Sequence, residues 1–155
     1  MSKALDGIRV IDMTHDQAGP SCTQMLAWLG AEVIKIEMAD GRGDRSRWLR
    51  RDDPDLDSYF YLLLNNNKKS TTLNLRDQRG IDLFKTLIRE ADVMVENRGP
   101  GAMDRLGLGY EDLKAINPRL IYASVKGFGG YGPYSDYKCF EQVAQATSGA
   151  LSCTG

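Results

Sequence analysis

Three glycine-bearing segments hold the residues whose types and spacing could do chemistry. The first, Thr14-His15-Asp16-Gln17-Ala18-Gly19-Pro20, lies between an apolar run and a helical pattern. A helix start offers unpaired N–H groups and partial positive charge, so this segment could hold an anion or polarise a carbonyl. The second, Glu96-Asn97-Arg98-Gly99-Pro100-Gly101 with Arg105 following, joins close backbone approach at glycine to guanidinium charge that attracts phosphate. The third, Lys126-Gly127-Phe128-Gly129-Gly130 with Lys138 downstream, offers ammonium groups near a flexible loop. Each also has a plain reading as a turn with solvated charges, and the residues alone leave both open.

Other matches carry less. His15 is the sole histidine, so a zinc site or a Ser-His-Asp triad would have to be built around it, and metal chemistry is set aside. No G-x-G-x-x-G follows the first apolar run, which counts against a dinucleotide site. Asp40-Gly41-Arg42-Gly43-Asp44 contains an Arg-Gly-Asp triplet, and Ser135-Asp136-Tyr137-Lys138 fits S-x-x-K. Both are read as chance, the second because no helical pattern or partner motif accompanies it.

The elements that must position these segments alternate strand and helix, the mark of βαβ units and a mostly parallel, Rossmann-like sheet. Ile8 to Asp12 reads as a first strand. Pro20 suits the first turn of a helix in which Cys22, Met25, Leu26 and Leu29 recur at helical spacing, and Gly30 suits its stop. Val33 to Ile36 is a second strand. Asp40 to Asp57 reads as a long charged surface loop, and Tyr59 to Leu64 as a short apolar segment of undecided type. A strand at Thr71 to Leu75, a helix marked by Ile81, Phe84, Leu87 and Ile88, and a strand from Asp92 to Glu96 follow. A short helix is expected around Ala102 to Leu106, another over Tyr110 to Ile116, and a last strand over Leu120 to Val125. From Lys126 the chain is loop, with a helix expected from Phe140. In an open parallel sheet, ligands collect at the carboxyl ends of the strands, where all three segments emerge.

Composition bounds the rest. The 155 residues suit one domain, 42% hydrophobic and 26% charged. A net charge of -1 argues against nucleic acid as a partner. Cys22, Cys139 and Cys153 form no CxxC pair, which fits a reducing cytoplasm. The first residues do not read as a signal peptide, and no apolar run is long enough for a membrane span.

Taken in order, local motifs cover nearly the whole chain: Leu5-Asp6-Gly7-Ile8 leading into Val10-Ile11-Asp12, Gln17-Ala18-Gly19-Pro20, and Leu29 through Glu37. Then come Asn67-Lys68-Lys69-Ser70, Ala91 through Asn97, Gly99-Pro100-Gly101, Asn117 through Ile121, and Ser124 through Gly129. This string resembles the class III (CaiB/BaiF) CoA-transferases. Within that family, His15 with Gln17, and Tyr137-Lys138-Cys139-Phe140-Glu141 followed by Val143-Ala144-Gln145, look most like the branch that handles formyl-CoA and oxalate.

The resemblance implies that residues 1–155 are the N-terminal part of a CoA-binding α/β domain. It implies a reaction in which CoA moves from an acyl-CoA to a small carboxylic acid through acyl-enzyme intermediates on an aspartate. CoA is then a substrate, and no permanently bound cofactor or metal is expected. By the same resemblance His15, Gln17 and Ala18 line the pantetheine and thioester end, the Gln17 amide steadying charge that develops on the acyl group. Leu73, Asn74, Leu75 and Arg76 contact CoA after the third strand. Asn97, Arg98 and Gly99 receive the nucleotide, with Arg105 near its phosphates, and Lys126 with Tyr137, Lys138, Cys139 and Phe140 closes over it. The family's aspartate is expected past Gly155, so this stretch alone is expected to bind CoA at most and to expose apolar surface. Full-length relatives are interlocked homodimers. Met38 stands where the formyl-CoA branch tends to have arginine. Two alternatives stay open: an isomerase of the α-methylacyl-CoA racemase branch, and a non-catalytic CoA-binding module.

Overall fold

Strands rich in valine and isoleucine, each followed by a polar or amphipathic segment, build a two-sided sheet in the computed structural model, which describes residues 2–49 and 53–154. The order along the chain is β1 (Arg9–Met13), α1 (Ala18–Trp28), β2 (Glu32–Met38), α2 (Tyr59–Asn65), β3 (Lys69–Leu73) and α3 (Gln78–Arg89). It continues with β4 (Val93–Glu96), α4 (Tyr110–Ile116), β5 (Ile121–Ser124), α5 (Glu141–Ser148) and α6 (Ala150–Thr154). Short 3-10 turns cover Arg45–Arg47 and Asp104–Leu106.

The five strands lie in the order β3-β2-β1-β4-β5, every neighbouring pair parallel. The order reverses beside β1: the chain runs outward through β2 and β3, then returns to lay β4 on the other flank. The carboxyl ends of β1 and β4 therefore flank a topological switch point, the place where open α/β sheets leave a crevice. Alternation along the strands feeds two cores. Ile11, Met13, Ile36 and Met94 pack with Phe84, Ile88 and Leu113 of α3 and α4. Val10, Val33 and Val95 pack with Ala27 and Ala31 on the α1 side. Each fully buried side chain of this size contributes roughly 1.5–3 kcal/mol. Side-chain caps define two helix starts: Ser58 accepts from the Tyr61 amide at 3.1 Å, and Asp77 from the Arg79 amide at 2.9 Å.

The Rossmann-like parallel sheet expected from the alternation is present, and three local expectations change. The first helix does not bury Cys22, Met25 and Leu29. Its buried residues are Gly19, Pro20, Thr23, Gln24 and Ala27, while Met25 is 60% exposed. Small and polar residues face inward because Thr23 must reach a buried carboxylate on β1. Secondly, Asp40 to Asp57 is not all surface loop, since Asp44 and Ser46 are fully buried. The chain turns back so that Asp44 meets the Lys35 ammonium at 2.9 Å. Arg51 and Asp52 of that stretch, with Arg50 between its ends, lie outside the described residues. Thirdly, β3 covers Lys69–Leu73 and not Thr71 to Leu75: its residues pair with Ile34 to Met38 of β2, and the ladder ends at Leu73. Tyr59 to Leu64, undecided from sequence, is helical. Beyond β5 the helices α5 and α6 bury none of their described residues, and Tyr131, Tyr137, Phe140 and Leu151 are exposed.

Candidate functional site

The segment after β1 is shaped by a carboxylate that sequence reasoning passed over. Asp12, fully buried on the α1 side, accepts from the Thr14 amide at 2.9 Å and the Thr14 hydroxyl at 2.5 Å through one oxygen. Its other oxygen accepts from Thr23 Oγ1 at 2.6 Å and Lys68 Nζ at 3.1 Å. Lys68 also donates to the Pro20 carbonyl at 2.9 Å and to Asn65 Oδ1 at 2.9 Å. One charge thus ties β1, the start of α1 and the turn before β3 together. Gly19 completes the fit, since a Cβ there would stand 2.3 Å from Thr14 Cβ.

Lys35 is the neighbour of Asp12 in the β1–β2 register and is also fully buried. Its ammonium donates to the Thr14 carbonyl at 2.7 Å and pairs with Asp44. Burial acts to raise the Asp44 carboxyl, but the Lys35 charge and bonds from Ser46 outweigh it and hold it below its usual range. Next along β2, Glu37 accepts from Arg47 Nε at 2.8 Å, Tyr61 Oη at 3.1 Å, Ser70 Oγ at 2.5 Å and the Asp44 amide at 2.7 Å. Burial opposes its ionisation, yet the Arg47 and Ser70 bonds prevail and hold it at about 2. Polar residues inside apolar strands, Asp12 and the lysine of Val33-Ile34-Lys35-Ile36, were the available signal: a charge on a buried strand must be paired.

On this frame His15 presents a largely buried imidazole, its side chain 13% exposed. Nδ1 is 3.7 Å from Asp44, too long for a hydrogen bond, and Nε2 has no partner among the described residues. Burial, and then the nearby Arg98 charge, lower its pKa to about 4, so the ring is neutral near pH 7. Asp16 takes a positive φ of 63° just beyond, and its carboxylate meets Arg45 Nε at 2.9 Å. Gln17 is exposed at the N-cap of α1 and makes no side-chain cap bond, so its amide faces outward next to Ala18.

Across the switch point, Asn97 clamps His15: its Oδ1 accepts from the His15 amide at 2.9 Å and its Nδ2 donates to the His15 carbonyl at 2.7 Å. Arg98 follows. Its guanidinium is partly buried, is lowered in pKa by that burial, and has no ion-pair partner among the described residues. It lines a 440 Å³ cleft together with Leu73, Asn74, Leu75 and Arg76 after β3. Met13, Ile36, Met38 and Leu106 give this cleft an apolar wall, and Glu37 and Asp40 also line it.

The other expected residues fall elsewhere. Gly99 and Lys126 line a separate 530 Å³ cavity against β5, with Tyr110 and Tyr122, on the far side of the segment after β4. The Lys126 ammonium is engaged there by Glu96 at 2.8 Å and by the Arg98 carbonyl. Arg105 is exposed and reaches the Pro100 carbonyl at 3.4 Å. Tyr137, Lys138 and Phe140 lie on the exposed tail and line neither cavity, while Cys139 packs so closely on Gly127 that a Cβ there would meet its Cβ at 1.9 Å. The fold therefore gathers His15, Asn97, Arg98 and the stretch Leu73 to Arg76 at one sheet end, and leaves the tail residues apart.

Known proteins share this fold. The chain is 56% identical over its full length to the formyl-CoA:oxalate CoA-transferase of Streptomyces avermitilis, and spans 37% of that protein. It is 54% identical, again over its full length, to the enzyme of that name from Rhodopseudomonas palustris, of which it spans 36%. Among solved structures, a CAIB/BAIF family protein from Brucella suis superposes with a TM-score of 0.89 at 37% identity, covering 96% of this chain and 40% of that one. A hypothetical protein from Mycobacterium tuberculosis superposes at 0.86 with 39% identity, covering 96% and 39%. The chain thus spans little more than a third of the curated relatives it matches. The model of CoA-transferase family III matches residues 5–155, taking in β1, the switch point and every segment that lines the cleft, and the chain belongs to that family.

Proposed function

We propose that these residues form the CoA-receiving part of an enzyme that moves CoA between an acyl-CoA and a small carboxylic acid, with formyl-CoA and oxalate as the substrate pair. The names of relatives more than half identical to the chain support transfer over racemisation. The observation that carries the reading is Arg98, a partly buried guanidinium with no ion-pair partner among the described residues, set in a 440 Å³ cleft with a largely apolar wall, which is lined also by Asp40 and by Glu37, itself engaged by Arg47. An unpaired cation in such a place calls for an anionic ligand with an apolar body, and the phosphate groups and adenine of CoA have that chemistry. Arg76 in the same cleft adds charge, and the neutral His15 and the outward amide of Gln17 suit the uncharged thioester end.

Chemically, a carboxylate attacks the thioester carbonyl and the CoA thiolate leaves, giving a mixed anhydride; the acceptor acid displaces the donor acid from that anhydride, and the thiolate then attacks the acceptor's acyl carbon, forming the new thioester and freeing the carboxylate. That carboxylate is an aspartate located past Gly155. The Gln17 amide donates to the oxygen on which charge gathers. The whole protein works as a homodimer, and exposed Tyr131, Phe140 and Leu151 are surface that further chain or a partner would cover. The test is calorimetric titration with CoA of the wild type and of Arg98→Met. CoA affinity falls about tenfold or more, while stability stays level, because no protein partner is stranded. Equal CoA affinity in the two proteins overturns the reading.

A further inference from the structure

The expectation for Asn97 was contact with the nucleotide of CoA, yet its side chain is turned the other way. Both ends of the carboxamide engage one residue, the acceptor taking the His15 amide and the donor meeting the His15 carbonyl. The group acts as a strand neighbour would, across a sequence separation of 82 residues. Among the described residues these are the only hydrogen bonds His15 makes, since its ring stands 3.7 Å from Asp44 and its Nε2 is unpartnered. The β1–β4 ladder has already ended at Met13 and Glu96. Without Asn97, the peptide of His15 would be held only through its neighbours, Thr14 on one side and the positive-φ Asp16 on the other.

The other end of the clamp is firm. The Arg98 amide donates to Glu96 Oε2 at 2.7 Å, and Lys126 spans from Glu96 to the Arg98 carbonyl. We propose that Asn97 is a positioning residue: by clamping the main chain of His15 it holds the segment after β1 in register with the segment after β4, and so couples the thioester end of the site to its nucleotide end. This rests on the CoA reading above. A two-point clamp fixes both the tilt and the position of a peptide, whereas a single bond leaves the tilt free.

The experiment compares this chain with Asn97→Ala, titrating each with CoA and with adenosine 3′,5′-bisphosphate, the nucleotide end alone. In the variant, affinity for the bisphosphate stays within about twofold, while affinity for CoA drops about tenfold or more, the loss expected from two hydrogen bonds. An equal loss for both ligands overturns the proposal, because it places Asn97 on the nucleotide. A second readout does not depend on ligand. The amide of His15 exchanges with solvent about tenfold faster or more in the variant, and unchanged exchange overturns the proposal. If the wild type binds no CoA, the functional reading fails while this exchange result still judges the clamp. Asn97→Asp, which keeps the acceptor and loses the donor, serves where Asn97→Ala does not fold, and gives the same pattern at smaller size.

Discussion

Acidification should reach this fold first through His15. The imidazole has a pKa of about 4 in the folded chain, against 6.5 when free, because it is buried and faces Arg98 and Lys35 more effectively than Asp44 and Asp12. The folded state therefore binds fewer protons than the unfolded state between those values, so this contribution is present above pH 6.5 and is lost as pH falls toward 4. Linkage gives a loss of about 2 kcal/mol on going from about pH 7 to about pH 5, and about 3 kcal/mol by about pH 4. With the side chain only 13% exposed, solvent screening takes little from these figures. His15 is the sole histidine, so few other side chains titrate in the upper part of that window. The assay is urea unfolding of the wild type and His15→Asn at both pH values, where the carboxylates common to the two proteins cancel. Stability of the wild type should fall by about 2 kcal/mol more than that of the variant. An equal fall in the two would refute the reasoning, as would a ring resonance that titrates near 6.5.

Three further outcomes follow from neighbouring contacts. Gly19→Ala puts a methyl 2.3 Å from the Cβ of buried Thr14, so thermal unfolding should show a loss of about 1–3 kcal/mol, with weaker CoA binding as the segment shifts. Glu37→Gln leaves Arg47 without its main charge partner and should cost about 2–3 kcal/mol at neutral pH. The Glu37 carboxyl is held at about 2 against a free value of 4.5, so its stabilisation is present above 4.5 and is lost toward 2. The gap between the two proteins in a denaturant series should close over that range. Lys126→Met strands the buried Glu96 carboxylate and should destabilise by about 2–3 kcal/mol. A fall in CoA affinity with unchanged stability would instead make Lys126 a direct ligand.

Much of the fold was legible because its signals were local. Tyr110–Ile116 begins and ends where its spacing and Asn117-Pro118 say it should, and the parallel sheet follows from alternation of strand and helix. The reading of α1 failed for a reason outside the helix: Thr23 is drawn inward by Asp12, eleven residues earlier, and Gly19 by Thr14, so the apolar stripe is left facing out. No periodicity contains that information. The segment holding Asp44 looked solvated for a related reason, since its charge is explained by Lys35, nine residues earlier on β2, together with bonds from Ser46. The site residues came from the family resemblance, which names positions but not directions. It could place Asn97 at the crevice and could not show that its amide turns toward His15.

The Asp12 hub also sets an order of events. Its partners come from Thr14, from Thr23 and, 56 residues on, from Lys68, while the last hold on His15 comes from Asn97. During synthesis the segment after β1 is made among the first residues, yet the peptide of His15 lacks its clamp until residue 97 has been made and β4 has paired with β1. A nascent chain carrying β1 and α1 alone holds a buried carboxylate without its cation, so that pair cannot settle early. The crevice is therefore assembled from its oldest and its newest parts, and a ribosome-stalled chain ending before residue 97 should leave the peptide at His15 open to protease, whereas one that exposes β4 should close it.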